Sequence, residues 1–411
     1  MELNMPFSRI EDAIEAIARG EMIIVVDDED RENEGDILIA ADAVTPVAIA
    51  FMMKHARGLV CISMTDERLD ELDMPLMVSR NSESMMTAFT VSVDVIAGTT
   101  SGISAGDRAA TIRALVDPHA TPLDFARPGH VFPLRANPQG VLGRQGHTEA
   151  AVDFTRLAGR SPSGVICEIA NDDGSMARLP QLIEFAEAHG LLLVTIEDLI
   201  AYRRKNEQFV ERIGLAEMPT RFGDFKAISY RDLNKGVEHI ALIKGDCRKG
   251  TRVPVRVHSE CLTGEVLGSL RCDCGEQLEM ALSIINDEGA GCLIYLRGQE
   301  GRGIGLGKKI AAYGLQDQGL DTLEANRALG LPDDSRDYLA AASILRDLDI
   351  DDITLLTNSP AKLEAIQECG IKITGRRSLL AACKATNVSY LLTKKEKFGH
   401  FLDTAWTLEA G

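Results

Sequence analysis

The chain opens on an amphipathic period. Ile10, Ala13, Ile14 and Ile17 recur at helical spacing, and Gly20 stops the run. The apolar stretch Met22–Val26 then predicts a buried strand, followed by a strongly acidic turn over Asp27–Asp36. Thr45 before Pro46 reads as a helix start, because a threonine hydroxyl can accept an exposed amide and proline suits the first helical turn. Pro180 and Gly190 bracket another helix, Leu191–Val194 reads as a buried strand, and Thr195 with Asp198 forms a capping box. Between 203 and 215 the period decays into mixed charge, which predicts a linker. Beyond it Val253, Val255 and Val257 alternate as in a strand. Leu293–Leu296 and Ile353–Leu356 repeat that signal between helical stretches near 275–287, 336–347 and 360–369. Strand and helix signals interleave in both halves, so the expected fold class is α+β, as mixed α/β layers, in two domains: 1–202 and 216–411, joined by the linker 203–215.

Composition narrows what such a chain can do. At 411 residues it exceeds one ordinary core, in keeping with two domains. Its net charge of -18 argues against a nucleic-acid partner, which needs a basic face. Small anions stay open, since a few arginines can bind phosphate inside an acidic protein. The longest apolar run, Leu191–Ile196, is far too short to cross a bilayer. The amino-terminal stretch has early acidic residues and no apolar segment, unlike a signal or transit peptide. Nine cysteines in so long a chain read as reduced thiols, and the expected location is cytoplasmic.

Two clusters stand out in the first half. The run Asp27–Asp36 packs oxygen ligands suited to a hard cation such as Mg²⁺ between two apolar segments, and Arg31 could hold a phosphate. Charge runs are ordinarily just solvated, but this one sits where a strand end can present carboxylates to a pocket. The second cluster is Arg144-Gln145-Gly146-His147-Thr148-Glu149, with Arg127-Pro128-Gly129-His130 ahead of it. Val165-Ile166-Cys167-Glu168 adds a carboxylate at the end of an apolar run. Together DDEDRENEGD, RPGHVFPL, RQGHTEA and GVICEIANDDGSMAR resemble 3,4-dihydroxy-2-butanone-4-phosphate synthase, over essentially all of residues 5–202. The resemblance implies conversion of ribulose 5-phosphate with loss of formate. It implies Mg²⁺ (or Mn²⁺) on Glu32 and His147, and substrate contacts from Arg31, Glu32, Asp36, Arg144, Gln145, Gly146, His147, Thr148 and Glu168. His130 and Glu168 would move protons. Met85 and Met86 depart from the polar residues common there in this family.

The second half carries Cys261 and then Arg271-Cys272-Asp273-Cys274. Three thiols so close suit a metal: with His258 as fourth ligand the site would be structural, and with three ligands and water it would be catalytic. The run Arg297–Gly307 resembles a phosphate loop but fails the Walker pattern at Arg302 and Lys309. RVHSECLTGEVLGSLRCDCGEQLE, YLRGQEGRGIGL, AAYGLQDQGLDTLEANRALG, DDSRDY and LLTNSPAK resemble GTP cyclohydrolase II, over about 218–402. The resemblance implies Zn²⁺ on Cys261, Cys272 and Cys274, with Mg²⁺ beside the triphosphate. GTP would be held by Arg256, Val257, His258, Ser259, Glu260, Gln277, Glu300, Gly301, Arg302, Thr322, Thr357 and Lys362. Tyr313, Asp334 and Arg336 take its catalytic roles, although a guanidinium is a poor nucleophile and Arg336 reads better as stabilising phosphate charge. Ala340–Ala342 and Ser359 depart from the glycines and asparagine usual there. The reading is two separate catalytic domains of riboflavin biosynthesis, working in a homodimer as both resemblances imply. The alternatives are a second domain reduced to a scaffold and a zinc-stabilised GTP sensor.

Overall fold

The protein's structure, a computed structural model, describes residues 7–247 and 252–402. Residues 1–6, part of the amino-terminal stretch read above for targeting signals, lie outside these. Two units separate, Met1–Arg203 and Arg204–Gly411. No helix among the described residues is long and apolar enough to cross a membrane.

The first unit is built on β1 (Ile23–Val26), β2 (Gly35–Ala40), β3 (Cys61–Met64), β4 (Val93–Val95), β5 (Phe125–Arg135), β6 (Gly164–Glu168) and β7 (Leu192–Thr195). They form one mixed sheet in the order β4-β5-β3-β6-β2-β1-β7. Alternate residues of β1 and β2 feed two separate cores. Ile24, Val26, Ile37 and Ile39 pack with the helices Pro46–Phe51, Ala105–Val116 and Leu179–His189. Ile23, Val25 and Leu38 pack with Ile10–Ala18, His147–Leu157 and Ile196–Asn206. Both sheet faces are therefore covered, which is why these strands read as unbroken apolar runs. The expected caps are present: Thr45 Oγ1 accepts the Ala48 amide at 3.1 Å, and Thr195 Oγ1 accepts that of Asp198 at 2.9 Å.

The second unit repeats the plan with β8 (Val210–Thr220), β9 (Gly223–Asp232), β10 (Glu238–Lys244), β11 (Val253–Ser259), β12 (Gly291–Leu296), β13 (Asp352–Leu356) and β14 (Lys372–Arg377). Their order is β14-β13-β11-β12-β10-β9-β8. The β12-β11-β13-β14 side is parallel and the remainder antiparallel. Parallel strands point their carboxyl ends the same way, so the ends of β11, β12 and β13 open onto one edge, where open α/β sheets bind ligands.

The segment expected as a linker is mostly regular structure. Arg203–Asn206 end a helix and Val210–Leu215 begin β8, leaving only 207–209 irregular. β8 is an edge strand exposed along almost its whole length. Beyond Val210 its side chains are exposed or tied by polar contacts such as Arg212 to Asp347, so no apolar alternation is required and its pairing with β9 left no trace in the pattern.

Candidate active sites

In the first unit the acidic turn is folded by one of its own carboxylates. Asp27, buried just past β1, accepts the amides of Glu32 at 3.0 Å and Glu34 at 2.8 Å, and Arg31 Nη1 at 2.9 Å. That bonding brings Glu32 to His147, the first residue of its helix, with Oε2 3.7 Å from Nδ1. His147 Nε2 lies 3.2 Å from the Val25 carbonyl. A carbonyl can only accept, so Nε2 carries a proton, and Nδ1 faces Glu32, where a bound cation would take the place of a second proton. Asp27, Glu32 and His147 have ligand atoms within 4.8 Å of one another. Both Asp27 oxygens already hold the turn, so Glu32 and His147 are the pair left to bind an ion.

Asp36 lies in β2 rather than in the expected turn, because pairing with β1 begins at Gly35 and pairing with β6 at Asp36 itself. It sits directly opposite Glu168, and its Oδ1 is buried without a hydrogen-bond partner. Burial, helped by Glu168, Glu32 and Glu34, pushes its carboxyl up to about 8. Burial works against the His147 imidazolium, but Asp36, Glu32 and Asp27 outweigh it and raise that ring to about 9. An orphaned carboxylate oxygen among acids is a place for a cation or a substrate hydroxyl.

A phosphate anchor lies alongside. At Gly146 a Cβ would stand 2.5 Å from Arg144 Nη1 and 3.0 Å from Arg31 Nη2, so the glycine leaves room for the two guanidinium groups to converge. Arg144 is steadied by Glu149 at 2.7 Å, and by Thr87 Oγ1 and the Met85 carbonyl at 3.1 Å each. The Met85–Thr90 segment thus touches the site through its backbone and Thr87. Thr148 is buried in the same first turn, Gln145 is exposed ahead of it, and Glu168 Oε2 accepts the Leu59 amide at 2.8 Å. His130 is placed differently: it stands on β5, 43% exposed, with Nδ1 2.7 Å from Asp94 Oδ2 and its amide on Oδ1. Asp94 gave no signal in the sequence, where it is one acid in an ordinary strand.

In the second unit Cys261 follows β11, and Cys274 begins the helix Cys274–Glu288. The Cys261 and Cys272 sulfurs are 3.7 Å apart and all three lie within 4.8 Å. Neighbouring corners of a tetrahedron with 2.3 Å metal–sulfur bonds are about 3.8 Å apart, so the spacing fits a tetrahedral thiolate site. Hydrogen bonds from the other two thiols, against burial and with help from Lys309, push Cys261 far down towards thiolate. His258 does not complete the set. Its Nδ1 accepts from Arg256 at 3.3 Å and its Nε2 donates to Glu265 at 2.7 Å. That leaves three thiols clustered without an imidazole, the ligand number a catalytic site would use of the two weighed above.

The thiols line a cavity of about 1110 Å³, counting its open mouth, which is room for a nucleotide. Arg256, His258, Ser259, Glu260, Gln277, Gly301, Arg302, Tyr313, Thr322, Arg336, Thr357 and Lys362 share its wall, as expected. Val257, Glu300 and Asp334 do not. Val257 offers its carbonyl to Lys362 Nζ at 2.7 Å from behind. Glu300 is engaged by Lys309 and accepts the Leu262 amide at 2.6 Å, which braces the segment that follows Cys261. Asp334 is gripped by Arg336, with Nε 2.9 Å from Oδ1. Burial opposes its charge, but Arg336 and Arg302 hold it below the usual carboxylate range, while Arg336 is pushed upward and stays charged. Arg271, Lys309, Asn326, Tyr390, Lys394 and His400 also line the cavity. Arg271, Lys309 and Asn326 stand in or beside stretches that carry the family resemblance; Tyr390, Lys394 and His400 do not.

A carboxylate–imidazole pair with paired arginines in the first unit, and a sheet-edge cavity with a three-thiol cluster in the second, define a two-site metal-dependent enzyme acting on phosphorylated substrates. The family model for 3,4-dihydroxy-2-butanone 4-phosphate synthase matches residues 11–202, and that for GTP cyclohydrolase II matches 211–378. RibBA of Salinispora arenicola is 52% identical over 404 residues, covering 98% of this chain and 96% of its own. The chloroplastic RIBA 1 of Arabidopsis thaliana is 54% identical over 97% of this chain and 74% of its own. RibBX of A. baumannii, described as a two-domain 3,4-dihydroxy-2-butanone 4-phosphate synthase, superposes with a TM-score of 0.62 at 39% identity. It covers 91% of this chain and 100% of its own. The chain belongs to the RibBA family of bifunctional riboflavin biosynthesis proteins. It converts ribulose 5-phosphate to 3,4-dihydroxy-2-butanone 4-phosphate and formate, and hydrolyses GTP to a diaminopyrimidine ribosyl phosphate, formate and pyrophosphate.

Proposed function

We propose that the two activities divide between the units, the synthase in residues 1–202 and the cyclohydrolase in 216–411, with the sites as follows. In the first, Glu32 and His147 hold Mg²⁺ or Mn²⁺, which polarises the substrate carbonyl for enolisation. Adjacent corners of a Mg²⁺ octahedron are about 3.0 Å apart, so the 3.7 Å pair must close slightly, Glu32 giving up part of its contact with Arg31. Arg31 and Arg144, converging at Gly146, take the phosphate. Asp36 and Glu168, paired across β2 and β6, exchange protons with the substrate hydroxyls, and Asp94 orients His130 for the same work.

In the second, Cys261, Cys272 and Cys274 hold Zn²⁺, which supplies the Lewis acidity that activates water for attack on the guanine ring. Arg256, Lys362 and Arg336 bind phosphate, with Mg²⁺ accompanying the triphosphate, and Tyr313 closes over the ring. Arg336 acts as a charge stabiliser rather than a nucleophile, since Asp334 and the surrounding charges keep it protonated. The observation that carries the cyclohydrolase reading is the three-thiol cluster opening on a cation-lined cavity. A homodimer and a cytoplasmic location, both expected from the sequence, complete the proposal.

The test is to incubate the purified chain separately with ribulose 5-phosphate and with GTP, following formate and the diaminopyrimidine by chromatography. Formate is expected from both. EDTA should stop the first reaction at once, and readdition of Mg²⁺ should restore it. Formate from the pentose phosphate alone would leave the second unit a scaffold; GTP binding without ring opening would make it a sensor.

A further inference from the structure

Residues 388–402 entered none of the site assignments above, and the cyclohydrolase match stops at residue 378. Yet this stretch closes one side of the cavity: the helix Val388–Phe398 brings Tyr390 and Lys394 to its wall, and His400 follows the helix end. Few apolar side chains hold the helix down, with Leu391 its only fully buried hydrophobic residue among those described. Polar tethers replace them.

Lys394, itself only 8% exposed, donates to Asp273 Oδ1 at 2.6 Å. Asp273 stands between Cys272 and Cys274, and its other oxygen accepts Gln277 Nε2 at 2.6 Å. Gln277 in turn accepts from Arg256 at 2.8 Å. Lys397 pairs with Asp321, which caps the helix that begins at Thr322. Phe398 lies against the Arg302 guanidinium, 3.5 Å from ring centroid to Cζ, and the Phe401 amide donates to the Asn358 carbonyl at 2.8 Å. Each tether ends on, or next to, a residue of the cavity wall. Burying an ammonium is costly unless it is paired, so the Lys394–Asp273 contact holds the helix at this position specifically.

We propose that the helix Val388–Phe398 is a clamp on the GTP site, with Lys394 and Tyr390 contacting the bound nucleotide. The inference rests on the assignment of this cavity to GTP. Lys394 adds a basic group to Arg256 and Arg336 on the wall, so charge as well as position suits a nucleoside triphosphate. Its bond to Asp273 ties the clamp to the loop that carries two of the thiols.

The test uses the full chain, with Lys394→Met, Lys394→Arg and Tyr390→Phe compared for GTP kinetics and zinc content, and with formate release from ribulose 5-phosphate as control. Lys394→Met should raise KM for GTP by about tenfold or more, and Tyr390→Phe by about threefold, with zinc and the control reaction unchanged. Lys394→Arg, which keeps the pair with Asp273, should recover most of the loss. Wild-type KM in both Lys394→Met and Tyr390→Phe would overturn the clamp. So would a Lys394→Met defect confined to lost zinc, since the lysine would then only support the thiols. Absence of GTP turnover in the unaltered chain would instead strike at the assignment of the cavity.

Discussion

At the scale of the residue, a role follows from which polar atoms are already engaged. Asp27, Glu32 and His147 are alike in composition terms, yet Asp27 spends both oxygens on the turn while Glu32 keeps one towards His147. Glu300 accepts the Leu262 amide and pairs with Lys309, whose ammonium also donates to Cys261 Sγ at 3.2 Å, so the two brace the segment that carries Cys261. The two sites can therefore be struck separately. Glu32→Gln removes a charged ligand but little volume, and should cut formate release from ribulose 5-phosphate by at least about 100-fold while GTP turnover stays near wild type. Cys272→Ser should give the mirror result, with bound zinc lost on elemental analysis and only ring opening impaired. Equal loss of both activities in either variant would mean coupled sites or a misfolded chain.

At the scale of the element, the helix Val388–Phe398 and the turn after it illustrate a charge cost built into packing. His400 follows this helix, and burial, with Lys394 and Arg302 near by, lowers its ring to about 3. In the unfolded chain the same ring takes up its proton near pH 6.5. The unfolded state therefore binds the extra proton between those values, and the native state does not. The stability this position contributes is whole above about pH 6.5 and is lost as pH falls towards 3. His400→Gln should flatten the acid limb, so that its thermal midpoint drops less than the wild-type midpoint between about pH 7 and pH 4. Parallel slopes across that range would show that His400 reaches solvent and is protonated without penalty.

At the scale of the whole molecule, each unit has its own sheet and its own pair of apolar clusters, one on either face. Each is of a size that folds alone. A fragment ending at Arg203 should release formate from ribulose 5-phosphate with added Mg²⁺. For the second unit the starting residue matters. The Phe209 amide donates to Ser343 Oγ at 3.1 Å, and Arg346 donates to the Glu207 carbonyl at 2.9 Å, so residues 204–215 belong to that fold. A fragment 204–411 should bind zinc and open the guanine ring. One beginning at Ala216, which loses those bonds and half of β8, should melt several degrees lower. Identical melting of the two would return 204–215 to the status of a tether.

By itself the sequence determined the mixed layering of both halves, the capped helices at Thr45 and Thr195, and the residue types of both sites. Those signals are local: a cap needs three neighbouring residues, and a buried strand shows its apolar run wherever it packs. It also placed the three thiols close enough for one metal. Tertiary structure decided what depends on partners far along the chain. His258 left the metal set because Arg256 and Glu265 take its nitrogens, Asp94 joined His130 across 36 positions, and Asp36 found Glu168 through strand register. The edge strand β8 and the wall formed by Tyr390, Lys394 and His400 left no periodic trace. An exposed strand and a helix held by ion pairs bury too little apolar surface to write a pattern, so only their neighbours in space reveal them.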